Sequence, residues 1–253
     1  MENNSLELPS AYDLVEVDES EDIRTLAALA AAEGGHEGTL IWLKKQTAGQ
    51  EWDGRPWYSE EGDLHCSVLL EPEFEQHRYG EIILVAAVSM GQALAQYLSP
   101  MTALGYDWPD KLMIANHVVG RVWVQHGHGH DGESSPWLSV CGSVNMLNSP
   151  EDFSIPAISV REAEGTTELN AEKLLQAFAR EFITWINHWN DQGFLSLLDR
   201  WKVRGNQRGA SCKLGSLSGT VHEIDSKGNL VMQIDSASQR TILLESYVKK
   251  YSG

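Results

Sequence analysis

Residues 38–72 read GTLIWLKKQTAGQEWDGRPWYSEEGDLHCSVLLEP. An apolar, β-prone run (Leu40, Ile41, Trp42, Leu43) leads into a turn-rich segment from Thr47 to Gly62. A second β-like run, Leu64 to Leu70, follows and is closed by Pro72. The pattern predicts a strand, a long loop and a strand. Glycine lacks Cβ and admits unusual backbone angles, so such a loop can bring its backbone close to a small ligand. Loops of this length inside a compact domain are usually either functional or disordered, and the flanking strands favour function.

In this frame the stretch resembles the signature of the biotin and lipoate protein ligases, Q-T-A-G-R-G-R-x-G-R-x-W-x-S-x-x-G-x-L-x-x-S-x-L-L-x-P. Gln46, Thr47, Ala48, Gly49, Gly54, Arg55, Trp57, Ser59, Gly62, Leu64, Ser67, Leu70 and Pro72 fall in register with it. A lone glycine-rich loop is weak evidence, whereas matches throughout one frame are specific. The resemblance implies an α/β (α+β) fold, a mixed sheet packed by helices. It also implies an enzyme that joins an acyl carboxylate to ATP with magnesium and passes the acyl group, biotin or lipoate, to a lysine of a biotinyl or lipoyl carrier domain.

Composition sets the outer limits. The 253 residues allow one substantial core with a small appendage. Hydrophobic residues make up 42% and charged residues 22%, as in soluble globular proteins, and no apolar run approaches a membrane span. The acidic N-terminus lacks the basic region of a secretion signal. Cys66, Cys141 and Cys212 are widely spaced and odd in number, which predicts free thiols in a reducing cytoplasm. A net charge of −17 opposes nucleic-acid phosphates, so the repressor role of some biotin ligases, carried by a winged helix, is not expected.

Along the chain, Ser20 to Ala32 reads as a helix capped by Ser20, with Glu21 and Asp22 suiting its N-terminal dipole. In the family this helix opens on polar residues that meet the acyl ligand's head group; two carboxylates there either repel an anionic ligand or are ordinary helix-start acids. A second helix is predicted from about 79 to 97 and a third from Asn170 to Gln192, capped by Asn170 and stopped by Gly193. The aromatic stripe of the third (Phe178, Phe182, Trp185, Trp189) has helical spacing and reads as core. His126, His128 and His130 alternate with Gly127 and Gly129, and Asp131 follows directly. That spacing suits a transition metal, but its place between β-like runs and the D-G-E-S-S-P that follows favour a solvated loop. After Trp201 the texture changes to short β runs, read as a small C-terminal β-barrel. The expected division is 1–203, ligase-like, and 204–253, barrel.

Residues 106–124 resemble the family's second signature, K-W-P-N-D, a hairpin and K-x-x-G. Trp108, Pro109 and Gly120 match, while Asp107, Asp110, Lys111 and His117 stand at the Lys, Asn, Asp and second Lys. The strand from Trp137 to Asn145 resembles the one ending in G-x-G-I-N, keeping Asn145 but placing Cys141 and Ser143 at the glycines, which should reshape the pocket. The resemblance therefore implies a pocket bounded by Ser20, Gln46, Thr47, Ala48, Gly49, Gln50, Trp52, Trp57, His65, Ser67, Trp108, Asp110, Gly120, Gly142 and Asn145, with Arg55, Lys111 and His117 in catalytic roles and no metal-ligating residue.

Adenylation brings two anions together and needs fixed positive charge. Gln50, Trp52 and Asp53 replace loop arginines, and His117 is at best a weak cation near neutral pH. Two readings stand side by side: a divergent ligase or acyltransferase whose ATP-dependent step is weak or absent, and an inactive ligase scaffold that binds a small molecule or a carrier protein.

Overall fold

The computed structural model describes residues 6–50, 54, 56–57, 59–128, 136–149, 156–165 and 168–251. Its centre is a mixed sheet in the order β1-β2-β3-β7-β6-β5-β4, built from β1 (Asp13–Ser20), β2 (Thr39–Gln46), β3 (Leu64–Leu70), β4 (Leu104–Asp107), β5 (Lys111–Ile114), β6 (His117–His128) and β7 (Pro136–Val144). The β1–β2 pair is parallel and the other pairs along this path are antiparallel. The two predicted strands around the long loop are β2 and β3, and they pair directly, Leu43 opposite His65.

Helix α1 (Ile23–Ala32) packs across β3, β6 and β7 on one face of the sheet. Its small residues Ala27, Ala28 and Ala31 let it approach closely and are buried with Ile41, Leu43, Trp57 and Trp123. The cap is Asp22, which accepts from Arg24 N at 2.7 Å. Ser20, expected in that place, is instead the last residue of β1. An aspartate placed immediately before the first helical turn satisfies its free amide, and β1 claims the serine.

The other face carries α2 (Glu81–Ala95), α4 (Ala171–Gln192) and α5 (Phe194–Lys202), with the short α3 (Val160–Glu164) between. Residues Ile82 to Gly91 of α2 are all buried, so this helix is core on every side rather than on one. Asn170 caps α4 as expected, its Oδ1 accepting from Lys173 N at 2.8 Å, and Gly193, at φ 79°, ends it.

After α5 the chain forms a four-stranded antiparallel sheet in the order β11-β10-β9-β8: β8 (Ser211–Leu214), β9 (Leu217–Ile224), β10 (Leu230–Gln233) and β11 (Gln239–Ile242). Its Val221, Leu230 and Met232 join the main core. The chain then passes through a 3₁₀ turn, Leu244–Tyr247, and β12 (Val248–Lys250) returns to the main sheet, parallel to β6.

The histidine segment departs from the loop reading. His126 and His128 are the end of β6, held by β7 on one side, while β12 pairs with β6 at His126 on the other; His126 is buried against Tyr79. Pairing from both neighbours outweighs the glycines' poor strand propensity. His130 and Asp131 lie outside the described residues. Among the described residues, no group of three His, Cys, Asp or Glu is placed to hold a metal ion, and no helix is long and apolar enough to cross a membrane.

Candidate functional site

Directly paired strand residues point to the same side of a sheet. Leu43 packs on α1, so the residues registered with it share the α1 face: His65, then Ser143, Arg121 and Lys111. A parallel row starts at Ile41 and runs through Ser67, Cys141 and Trp123. The middle of the sheet therefore offers α1 a floor of hydroxyls, a thiol, an imidazole and two cations.

The loop after β2 forms one wall. Gln46 is buried, its Oε1 accepting from Ile23 N at 2.9 Å and its Nε2 donating to Ser59 Oγ at 3.0 Å. A Cβ on Gly49 would lie 2.1 Å from that Nε2, so only glycine lets the amide pass. Thr47 N and Ala48 N donate to the carbonyls of Ser20 and Glu21, Trp57 N donates to Gly49 O, and Gln50 N donates to Asp22 Oδ2 at 3.0 Å. These bonds clamp the loop onto the start of α1. Trp57, 2% exposed, sets its ring edge-to-face on Trp123, centroids 5.7 Å apart. Asp63 fastens the loop's far end, accepting from Glu60 N and Met146 N; burial pushes its carboxyl up to about 6. Trp52, Asp53 and Arg55 lie outside the described residues.

The cations on this face come with carboxylates. Arg24 forks onto Asp22 at 3.0 and 3.2 Å, with its guanidinium 5.5 Å from the Trp123 ring. Arg121 meets Asp110 Oδ2 at 3.3 Å, both buried, and Lys111 pairs with Asp107. His65 is 1% exposed. Its Nδ1 lies 2.8 Å from Ser143 Oγ, and its Nε2 finds no partner among the described residues. Burial outweighs the nearby Asp22 charge and lowers its pKa to about 4, so the ring is neutral at pH 7. Cys141 links Ser67 and Ser139 through its sulfur, and burial pushes its thiol up to about 11.

The structure brings together Ser20, Gln46, Thr47, Ala48, Gly49, Gln50 and Trp57 at the clamp, and His65, Ser67, Asp110 and Lys111 on or beside the floor. Asn145 follows at the end of β7, buried, its Oδ1 without a partner among the described residues. Gly120 and Gly142 serve close packing: a Cβ on Gly120 would lie 2.6 Å from Ser143 O, and one on Gly142 would lie 2.9 Å from Met90 Cε on the opposite face. Two expected residues stand apart. Trp108 is wholly buried and donates its indole N–H to Gly228 O at 2.8 Å, beneath the C-terminal sheet. His117 is exposed beside the two-residue turn Ala115–Asn116, its Nδ1 2.9 Å from Ala115 O. Sequence reasoning missed Arg121 and Arg24; the signal for Arg121 was a lone charge inside the apolar run V-V-G-R-V-W-V.

A mixed sheet with α1 and a long loop on one face, three helices on the other and a small C-terminal sheet defines a biotin protein ligase-type fold. Solved structures share it. A biotin protein ligase-like protein of unknown function from Silicibacter sp. TM1040 matches with a TM-score of 0.78 at 21% identity, over 96% of this chain and 99% of the other. The biotin protein ligase of Aquifex aeolicus, solved with biotin and ATP, matches with a TM-score of 0.73 at 20% identity, over 91% and 95%. The chain belongs to the biotin/lipoate A/B protein ligase family, whose model matches residues 8–203. In sequence it is 22% identical to a biotin–[acetyl-CoA-carboxylase] ligase of Paracoccus denitrificans over 84% of this chain and 91% of that protein. It is 24% identical to the bifunctional ligase/repressor BirA of Bacillus spizizenii, of whose length it spans 62%.

Proposed function

We propose that this protein holds a small carboxylic acid of the biotin or lipoate kind on the α1 face and handles it for a carrier-protein lysine, with an ATP-dependent adenylation step that is weak or absent. The observation that carries this reading is the pairing of charge: Arg24 with Asp22, Lys111 with Asp107 and Arg121 with Asp110. A cation already paired with a carboxylate stabilises a developing phosphate charge poorly. His117, at the position of the family's lysine, faces the hairpin turn. Gln50, at a loop-arginine position, offers no charge. These residues do not fit the electrostatic demand of joining a carboxylate to ATP.

The acyl side is better supported. The clamp that ties Gln46, Thr47, Ala48 and Gln50 to the start of α1 closes a wall over a buried polar floor. One relative is a biotin–[acetyl-CoA-carboxylase] ligase, and a structural relative is seen with biotin and ATP. The second reading, an inactive scaffold that binds a small molecule or a carrier domain, draws on the same neutralised cations. A reducing cytoplasm suits the three free, buried thiols, and a charge of −17 disfavours nucleic acid. Trp57 and Trp123 sit in the wall and floor, so binding should change tryptophan emission. Titration with biotin, lipoic acid and ATP tests the reading. The expected result is saturable binding of an acyl acid, altered in a Trp57→Phe variant; no binding of any such acid refutes it.

A further inference from the structure

Away from the α1 face, the main sheet ends at its edge strand β4, with α2 packed against it. We propose that the cavity beside Arg204, at this end of the sheet, binds the free C-terminal carboxylate of a peptide whose last residue is apolar.

A cavity of about 410 Å³ opens there. Ala95 and Leu98 line it from the end of α2, Ser99 from the turn that follows, Ala103 and Leu104 from the start of β4, and Arg204 from the segment after α5. No residue of the α1-face floor or of the loop clamp lines it. It is thus separate from the acyl site and independent of that reading.

Arg204 is the cation of this cavity. Its backbone is pinned on both sides, N donating to Trp201 O at 3.1 Å and O accepting from Tyr106 N at 2.8 Å. The guanidinium charge acts on the Tyr106 hydroxyl, which lies against Gly91, about one turn of α2 before Ala95. The side chain therefore reaches the end of α2, where the cavity opens. Its Nη1 is buried and finds no partner among the described residues. A buried cation without a counter-charge is costly, and the planar guanidinium fork fits a carboxylate. Glu164, which borders the rim, is already committed: it accepts from Ser99 N at 3.0 Å and from Thr102 Oγ1. The Ser99 hydroxyl accepts from Met101 N at 3.3 Å and keeps its own proton to donate. One guanidinium and one hydroxyl suit a single negative charge better than a phosphate dianion.

The remaining wall matches a peptide. Ser99 N, which a continuing helix would give to Ala95 O, goes to Glu164, so the Ala95 carbonyl stays open to an amide N–H. Leu98, Ala103 and Leu104 offer apolar contact to a terminal side chain. Met101 is 91% exposed and Val203 68%, each next in sequence to a residue of the wall. They form apolar surface that the residues preceding the terminus would cover. Addition of the peptide as a strand on β4 is blocked at Tyr106, whose N–H is already given to Arg204 O, so the recognition mode is capture of a chain end. A net charge of −17 disfavours an acidic chain, which makes the preceding residues neutral or basic.

The test is fluorescence-polarisation titration of the whole chain with a labelled hexapeptide that has two inner lysines and ends in leucine, in free-acid and C-terminally amidated forms. The free acid should bind at least about tenfold tighter than the amide. Arg204→Met should abolish that difference, and Arg204→Lys should keep part of it. Ala103→Trp, which fills the cavity from an exposed position, should weaken binding of the free acid while leaving Arg204 in place. Equal binding of the two peptide forms by the wild type, or an unchanged preference in a folded Arg204→Met variant, overturns the inference. So does N-acetyl-leucine binding as tightly as the hexapeptide, which would make the site one for small acids. Should the Arg204 variants unfold, the wild-type comparison and Ala103→Trp decide.

Discussion

His65 should make the protein acid-sensitive in a window that its own titration defines. Its pKa is about 4 in the folded chain against a reference of 6.5, because burial penalises the charged ring more than Asp22 favours it. A folded value below the unfolded one gives stability that is fully present above pH 6.5 and is lost as pH falls toward 4. Between pH 7 and 4.5 the linkage relation puts the loss at about 2.5 kcal/mol. Asp63 acts in the opposite sense. Its folded value is raised to about 6 from 3.8, so it penalises the fold as pH rises through that range and partly offsets the histidine in the wild type. His65→Gln removes one of these opposing contributions and can still bond Ser143. Urea unfolding followed by tryptophan fluorescence at pH 7 and pH 4.5 separates them. The wild type should lose about 2.5 kcal/mol more than His65→Gln across that interval. Parallel pH profiles for the two proteins would show that His65 titrates normally, and that it is not sealed beneath α1 and the loop.

Other substitutions probe the frame around the site. Arg121→Met should cost about 3–5 kcal/mol by stranding the buried Asp110, and Arg121→Met with Asp110→Leu should recover most of it; chemical denaturation of the single and double variants checks this. Trp108→Phe should cost about 2 kcal/mol through the unpaired Gly228 carbonyl and should expose the C-terminal sheet to limited proteolysis. Gly120→Ala should destabilise more than Gly142→Ala in thermal melts. The first places a methyl 2.6 Å from a backbone oxygen, and the second meets only the flexible end of Met90.

What was legible in the sequence depended on whether the deciding partner was local. β2, β3 and α4 carry their signals within a few residues: apolar runs, turn residues, a cap and a stop. β1 was missed because Asp13–Ser20 mixes four acids with three apolar residues, without strict alternation, along a sheet edge, where charge discourages further pairing but resembles a solvated segment. Trp108 was placed by its motif near the ligand. Its indole partner is the carbonyl of Gly228, 120 residues downstream, which no local pattern announces. The polar floor is likewise a product of register: His65, Ser143 and Arg121 come from three strands and meet only once β3, β7 and β6 are aligned. Neutralised charge was half visible. The missing arginines could be read directly, while the pairing of Arg121 with Asp110 and of Lys111 with Asp107 needed the fold.

Pyrophosphate release from ATP and magnesium, in the presence of biotin, lipoic acid or desthiobiotin at saturating concentration, tests the central claim of a ligase fold with its adenylation charges neutralised. With Arg24, Lys111 and Arg121 each held by a carboxylate, release should be at least about a thousandfold below the usual enzyme range of roughly 1 per second. Release at that ordinary rate by the unmodified protein would contradict the account and show that the paired cations give up their carboxylates when ATP binds.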